Sequence, residues 1–413
     1  MDEHFKARLL AYSKRFSTFC LLDSNGISAA CGHNRYDWLA AFGKEEILTC
    51  QNGDAFQQLK EFHQRQPGWL FGFLGYDLKN CLEKLSSNNP DGLGFPEMYF
   101  FRPKHLVYSI GGQIHSDSEG LLEAINQEPL PATKPQKPTK IQSRISREAY
   151  LQKAKAIKEH LGAGDIYELN LCMEFFAKQA HFDPEETWQR LNLLSPMPFA
   201  GFLKFENKYL LCASPERFLY KNGNRILSQP IKGTAKRSAN PAEDEKLKQD
   251  LHESEKERSE NVMIVDLTRN DLARSAVTGR VKVEELFGIY SYSNLHQMVS
   301  TVSAEAQPGL HFTDSIRNAF PIGSMTGCPK IAAMQLIEQY EEAKRGLFSG
   351  AFGYITPEGD FDFNVVIRSI LFNADNKYLS YQAGSALTWL AEPEQEYEEC
   401  MLKAQNMQQV MGH

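Results

Sequence analysis

The chain has 413 residues, with 45 Lys and Arg against 52 Asp and Glu, for a formal net charge of −7. Its 42% hydrophobic and 23% charged content is ordinary for a globular protein, which excludes disordered, collagen-like and disulfide-scaffold classes. The slight acid excess argues against a nucleic-acid binder, and no run of about 18 apolar residues offers a membrane span. Cys20, Cys31, Cys50, Cys81, Cys172, Cys212, Cys328 and Cys400 form no CxxC pair, so reduced, mostly buried thiols are expected. The opening MDEHFKARLL lacks the apolar stretch of a signal peptide, and a cytoplasmic location is expected.

In chain order, Phe16 to Leu22 reads as a strand, and Ala55 to His63 as a helix with Phe56, Leu59 and Phe62 on one side. Leu70 to Asp77 is an aromatic strand whose glycines predict a close backbone neighbour. Leu106 to Ile110 is another strand. Gln127 to Ser143 carries Pro129, Pro131, Pro135 and Pro138 among Lys134, Lys137 and Lys140, too much proline for a helix or central strand. It reads as a linker or loop, 127–145, between an N-terminal region, 1–126, and a larger region, 146–413.

Ser146 is placed to cap a helix from Arg147 to Leu161. Strands fit Leu169–Phe176, Ala200–Phe205 and Tyr209–Ala213. The charged segment Glu243–Arg274 carries a helical stripe of Leu247, Leu251, Val262 and Val265. Further strands fit Val281–Phe287, Met298–Val302, Gly350–Ile355, Phe361–Phe372 and Tyr378–Gln382, with helices at Lys330–Lys344 and Glu394–Met411. So many adjacent strands imply an α+β fold, with large, mostly antiparallel sheets and helices outside.

Three segments could carry chemistry. Glu257 and Glu260 lie three apart on one helix, and Glu396 and Glu399 three apart on another. Such pairs can hold a hard cation such as Mg²⁺, although solvated helix faces are the commoner explanation of that spacing. Ile322 to Lys330 (IGSMTGCPK) combines glycines, hydroxyls and a proline before a helix, which suits an anion cradle without the Walker ending or an ordinary capped turn. Lys232 sits in PIKGT, 16 residues after Glu216 in SPERF; burial would make it a nucleophile, although by itself a surface lysine in a turn is the commoner explanation. No GxSxG, GxGxxG or HExxH motif is present, which speaks against hydrolase, nicotinamide and zinc chemistry.

Together and in this order, these segments resemble the chorismate-utilising enzymes. The match runs through SPERF (Ser214–Phe218), PIKGT (Pro230–Thr234), ERSENVMIVDLTRNDLAR (Glu257–Arg274), FPIGSMTGCPK (Phe320–Lys330), GAFGYITPEGDFDFNVVIRS (Gly350–Ser369) and EYEECMLKA (Glu396–Ala404). LLDS (Leu21–Ser24) and LFGFLGYDL (Leu70–Leu78) match more weakly. The resemblance implies one interleaved α/β sandwich of two antiparallel sheets, rather than separable domains. It also implies Mg²⁺ bridging the ring carboxylate to Glu260 and Glu399, with Glu257 and Glu396 beside them.

Within the family, Lys232 resembles the lysine of component I of the aminodeoxychorismate synthases, where anthranilate synthases have Ala. The resemblance implies covalent attack by Lys232 at C2, for which a depressed pKa is expected. Glu216 matches the general acid. Arg368 matches the partner of the enolpyruvyl carboxylate, and Lys403 the lysine near the ring carboxylate. His296, Ser324, Gly233, Thr234, Gly384 and Ser385 stand at substrate-binding positions. Three positions depart from the pattern: Glu168, where Gln or Lys is usual, which could hold an ammonium ion or act as a base; Ser385-Ala386, where glycine is usual; and Phe348, where Tyr is common. The implied partner is a separate glutamine amidotransferase supplying ammonia. Alternatives are an anthranilate synthase component I and a catalytically silent chorismate-binding subunit. Tryptophan is a conceivable ligand near LLDS, where Asp23 replaces the more familiar glutamate.

Overall fold

The structure, a computed structural model, describes residues 1–27, 33–50, 53–131 and 138–412. Cys31, Lys134, Pro135 and Lys137 lie outside the described residues. Among the described residues, no helix is long and apolar enough to cross a membrane.

Two antiparallel sheets dominate. The eleven-stranded sheet runs Gly327–Cys328, Glu168–Ala177, Tyr378–Thr388, Ser369–Asn373, Lys208–Ser214, Phe199–Phe205, Thr18–Asp23, Trp38–Phe42, His105–Ile110 and Gln113–Ser116, with Gln142–Ser143 also on Glu168–Ala177. The ten-stranded sheet runs Ile231–Lys236, Leu295–Ala306, Arg225–Gln229, Arg217–Asn222, Phe361–Val365, Ala351–Ile355, Leu70–Leu74, Met98–Arg102 and Glu46–Cys50, with Ala276–Ser291 also on Leu295–Ala306. The N-terminal region thus supplies strands to both sheets.

Alternation along each strand divides the core. In Thr18–Asp23, Cys20 joins the apolar layer between the sheets, while Phe19 and Leu21 meet the helices on the outer face. Those helices include Glu3–Ser13, Arg147–Ala163, Pro184–Leu194 and Pro393–Val410. A sheet covered on both faces favours continuous apolar strands, which is why Trp38–Phe42 (WLAAF) shows no polar alternation. At Gly72, paired with Gly353, an added Cβ would lie 1.9 Å from the Tyr99 carbonyl, so the expected close backbone neighbour is present.

Among the short segments that carry the chain from one sheet to the other, two lie side by side. Pro215 and Glu216 join Lys208–Ser214 to Arg217–Asn222, and residues 366–368 join Phe361–Val365 to Ser369–Asn373. The crossings are bonded together. Ser214 Oγ donates to the Val365 carbonyl at 2.6 Å, Val365 N to the Glu216 carbonyl at 3.0 Å, and Ala213 N to the Arg368 carbonyl at 3.3 Å. Arg368 takes a φ of +52°, a left-handed backbone uncommon for a side chain of this size.

The single strand expected over Phe361–Phe372 is therefore two strands in different sheets. The apolar pattern is silent on which sheet a residue joins. The charged segment Glu243–Arg274 is likewise two helices, Pro241–Glu253 and Glu255–Ala273. Ser254 ends the first and caps the second, its hydroxyl accepting from Glu257 N. That break resets the helical phase: Leu251 and Val265 are buried, but Val262 is exposed. The helix expected to reach Lys344 stops at Tyr340.

Candidate active site

A cavity of about 770 Å³ opens where the sheet crossings meet two helices. It is lined by Glu216, Lys232, Gly233, Thr234, Glu257, Glu260, Ser324, Arg368, Gly384, Glu399 and Lys403. Eleven of the sequence-predicted site residues, distant in the chain, are thus brought together. Phe348 lines it too, as an aromatic wall.

Glu216 enters from the first crossing. Ser324, in the short turn Gly323–Met325 of the cradle, donates to Glu216 Oε1 at 2.6 Å. Burial pushes the Glu216 carboxyl up to about 7, against the lowering effects of the Ser324 bond and the Lys232 charge. It can hold a proton near neutrality, as a general acid requires.

Lys232 comes from the ten-stranded sheet. The strand register shifts between Ile231 and Thr234, and Gly233 takes a φ of +90°, which a bulge requires and glycine allows. A Cβ at Gly233 would stand 3.0 Å from Glu257 Oε2. The Lys232 ammonium pairs with Glu168, the first residue of Glu168–Ala177 in the opposite sheet. Burial alone would depress its pKa, but Glu168, Glu260 and Glu216 together outweigh burial and raise it. The depressed pKa expected from the sequence is corrected here: three buried carboxylates surround an amine that a bare desolvation argument treats as alone.

The helix Glu255–Ala273 brings Glu257 and Glu260 to the cavity, and Pro393–Val410 brings Glu399 and Lys403. Burial raises Glu257 and pushes Glu260 up to about 8. Glu399 is only half-buried, and Lys403, 2.6 Å from its Oε1, outweighs the raising effect of desolvation and holds it below the usual carboxylate range. Glu260 Oε1 is buried without a hydrogen-bond partner. An orphaned carboxylate oxygen facing a cavity with two further carboxylates fits a hard cation. Among the described residues no three His, Cys, Asp or Glu side chains form a ready-made metal cage. Mg²⁺ does not need one, because it binds through one or two carboxylates and completes its shell with water and substrate oxygens. Glu396 departs from the expected set: its Oε1 accepts from Lys256 at 2.8 Å, and it does not line the cavity.

Arg368 enters from the second crossing, and burial lowers its guanidinium to about 10. A half-buried, positively charged fork suits a carboxylate ligand. Lys403 also donates to the Gly384 carbonyl at 3.0 Å, fixing the helix to that strand.

Two expected contacts are corrected by strand alternation. The His296 ring bonds Ser291 Oγ at 2.8 Å and Asp244 Oδ1 at 3.1 Å, away from the cavity. Its neighbour Gln297 lines the cavity instead, with Oε1 buried and unpartnered. Ser385 turns outward to Tyr150, their hydroxyls 2.8 Å apart, while Gly384 and Ala386 face the cavity. Asn170 and Gln382 were not anticipated. Asn170 stands two residues after Glu168, so the period of the strand was the available signal. Behind it, Arg345 donates to the Met325 carbonyl at 2.6 Å and the Asn170 carbonyl at 2.9 Å, and pairs with Glu341, which tethers the cradle to the strand.

A second cavity, about 440 Å³, lies between the sheets beside LLDS, lined by Asp23, Ser24, Trp38, Tyr354 and Asp362 among others. Here Lys6 Nζ pairs with Asp23 Oδ2 at 2.9 Å. Arg217 forms two 2.9 Å bonds to Asp362 between the rings of Phe199 and Tyr220.

Residues 18–409 match the model of the chorismate binding enzyme family. Aminodeoxychorismate synthase component 1 of Escherichia coli is 33% identical over 389 residues, covering 87% of this chain and 84% of that protein. Anthranilate synthase component 1 of Thermus thermophilus is 33% identical over 353 residues, covering 82% and 76%. The crystal structure of anthranilate synthase component I from Streptococcus pneumoniae superposes with a TM-score of 0.79 at 25% identity, covering 91% of this chain and 92% of that one. The chain belongs to the chorismate binding enzyme family.

Proposed function

We propose that this member of the family is component I of an aminodeoxychorismate synthase. It would convert chorismate and ammonia to 4-amino-4-deoxychorismate, an amino-group transfer that leads to 4-aminobenzoate and folate. The observation that carries the reading is Lys232: a buried amine inside the carboxylate-lined cavity, with a protonatable acid, Glu216, lining the same space.

The chemistry is two displacements. The neutral Lys232 amine forms a bond to C2 while the C4–O bond breaks, and Glu216 gives its proton to the departing hydroxyl, which leaves as water. Ammonia then bonds to C4 as the C2–N bond breaks, returning the amine of Lys232. The Glu216 carboxylate takes the surplus proton from the new ammonium group. No pyruvate is lost. The resting state holds the proton on Lys232, so the reactive state differs by one proton moved to Glu216, without net uptake.

Arg368 would grip the enolpyruvyl carboxylate, and Lys403 would sit near the ring carboxylate. Mg²⁺ held by Glu260 and Glu399, with Glu257 adjacent, would neutralise carboxylates that otherwise repel a dianionic substrate. Ammonia would come from a separate glutamine amidotransferase subunit in the cytoplasm.

The test is incubation with chorismate, Mg²⁺ and ammonium salt, with and without an aminodeoxychorismate lyase. The expected result is 4-aminobenzoate only when lyase is added. Anthranilate formed without lyase would establish the anthranilate synthase reading, and no amine product the silent-binder reading. Lys232→Ala is expected to abolish the covalent adduct in intact-mass spectra and to remove most amination.

A further inference from the structure

Among the described residues, Glu168 is the one carboxylate bonded to Lys232, and it comes from the sheet opposite. Its backbone is fixed on both sides, paired with Cys328 in one neighbouring strand and Thr388 in the other. Tyr167 N donates to the Cys328 carbonyl at 2.7 Å. Gly327 presses against the Glu168 carbonyl, where a Cβ would come within 2.1 Å. The side chain is 1% exposed, and Oε2 has no hydrogen-bond partner. A buried ion pair carries a desolvation cost that two apolar side chains would avoid. Such a pair in a cavity wall, held by a rigid backbone, points to a role beyond packing.

The proposed chemistry, on which this inference rests, gives that role. As the C2–N bond forms, the neutral nitrogen of Lys232 becomes a secondary ammonium, so positive charge develops on Nζ. A carboxylate already fixed against Nζ stabilises that charge without reorganisation. We propose that Glu168 is a positioning residue: it holds Lys232 in place across the cavity and neutralises the cationic nitrogen of the covalent adduct. Glu168 touches Lys232 rather than the substrate. Glutamine would keep the length and one acceptor but lose the charge, whereas aspartate keeps the charge on a shorter arm.

The experiment compares the whole protein with Glu168→Gln and Glu168→Asp. Each is incubated with chorismate and Mg²⁺ while ammonia is withheld, and the adduct is quantified by intact mass; ammonium-driven kcat and KM are then measured. For Glu168→Gln, adduct and kcat are expected to fall by about tenfold or more, the scale of one charge-assisted hydrogen bond, with KM within about threefold. Glu168→Asp is expected to recover a substantial part of both. Equal adduct in wild type and Glu168→Gln would overturn the proposal. So would equal losses in both variants accompanied by equal losses of thermal stability, which is the pattern of a structural residue. A wild type that aminates C4 without any adduct also overturns it. A wild type that yields no 4-amino product instead refutes the proposed function.

Discussion

The two cavities between the sheets differ in what their charges are bonded to. Around the smaller one, Lys6 is closed on Asp23 and Arg217 on Asp362, with the Arg217 guanidinium packed between two rings. Around the larger one, Glu260 and Gln297 each keep a buried oxygen unpartnered, and Arg368 is a cation whose burial lowers its pKa. Both places cost desolvation, and Ser24 Oγ and Asn364 Oδ1 beside the smaller one are unpartnered too, but among the described residues only the larger one leaves a charged group, Glu260 Oε1, without a partner. Lys232 and Glu399 are paired as well, with Glu168 and Lys403, so what marks the larger cavity is a carboxylate oxygen left over beside its ion pairs.

Substitutions can break that contrast. In the larger cavity, Glu216→Gln should lower kcat by about 10²–10⁴, the range of a lost general acid, and erase the pH limb near 7, with little change in the urea midpoint. In the smaller one, Asp23→Ala leaves the Lys6 ammonium buried. Because Lys6 keeps Glu3 at 2.9 Å, the substitution should cost about 1–3 kcal/mol in urea unfolding, with kcat of the folded fraction unchanged. Ser324→Ala should have the smallest effect. It removes one hydrogen bond to Glu216, worth about 1 kcal/mol, and shifts the limb near pH 7 to higher pH, because that bond stabilises the ionised carboxylate. A pH–rate profile for each variant reads these shifts. A large rate loss in Asp23→Ala, or a large stability loss in Glu216→Gln, would dissolve the distinction.

Local patterns carried much of this into the sequence. Ser146 caps its helix as expected, accepting from Ala149 N, and the helix ends at Gly164 in a left-handed conformation. Glu257 and Glu260 were readable as one helix face, and Gly72 as a point of close approach. The misses share a cause: they depend on which of two alternatives a long-range contact selects. His296 and Gln297 are adjacent, and only the pairing of their strand decides which faces the cavity. Ser385 and Gly384 repeat that ambiguity. Lys232 was expected to be a buried amine, but its proton affinity is raised by Glu168, Glu260 and Glu216, the first of them 64 residues away in the sequence and in the other sheet.

Glu216 and Arg368 both stand where the chain leaves one sheet for the other, and the two crossings are hydrogen-bonded to each other. Melting either sheet therefore dismantles the acid and the carboxylate grip together. A ligand that holds both residues acts as a rivet through the whole molecule. Unfolding should then be a single cooperative transition, and a bound ligand at 100 times its Kd should stabilise the N-terminal strands and the catalytic helices alike by about 2.7 kcal/mol.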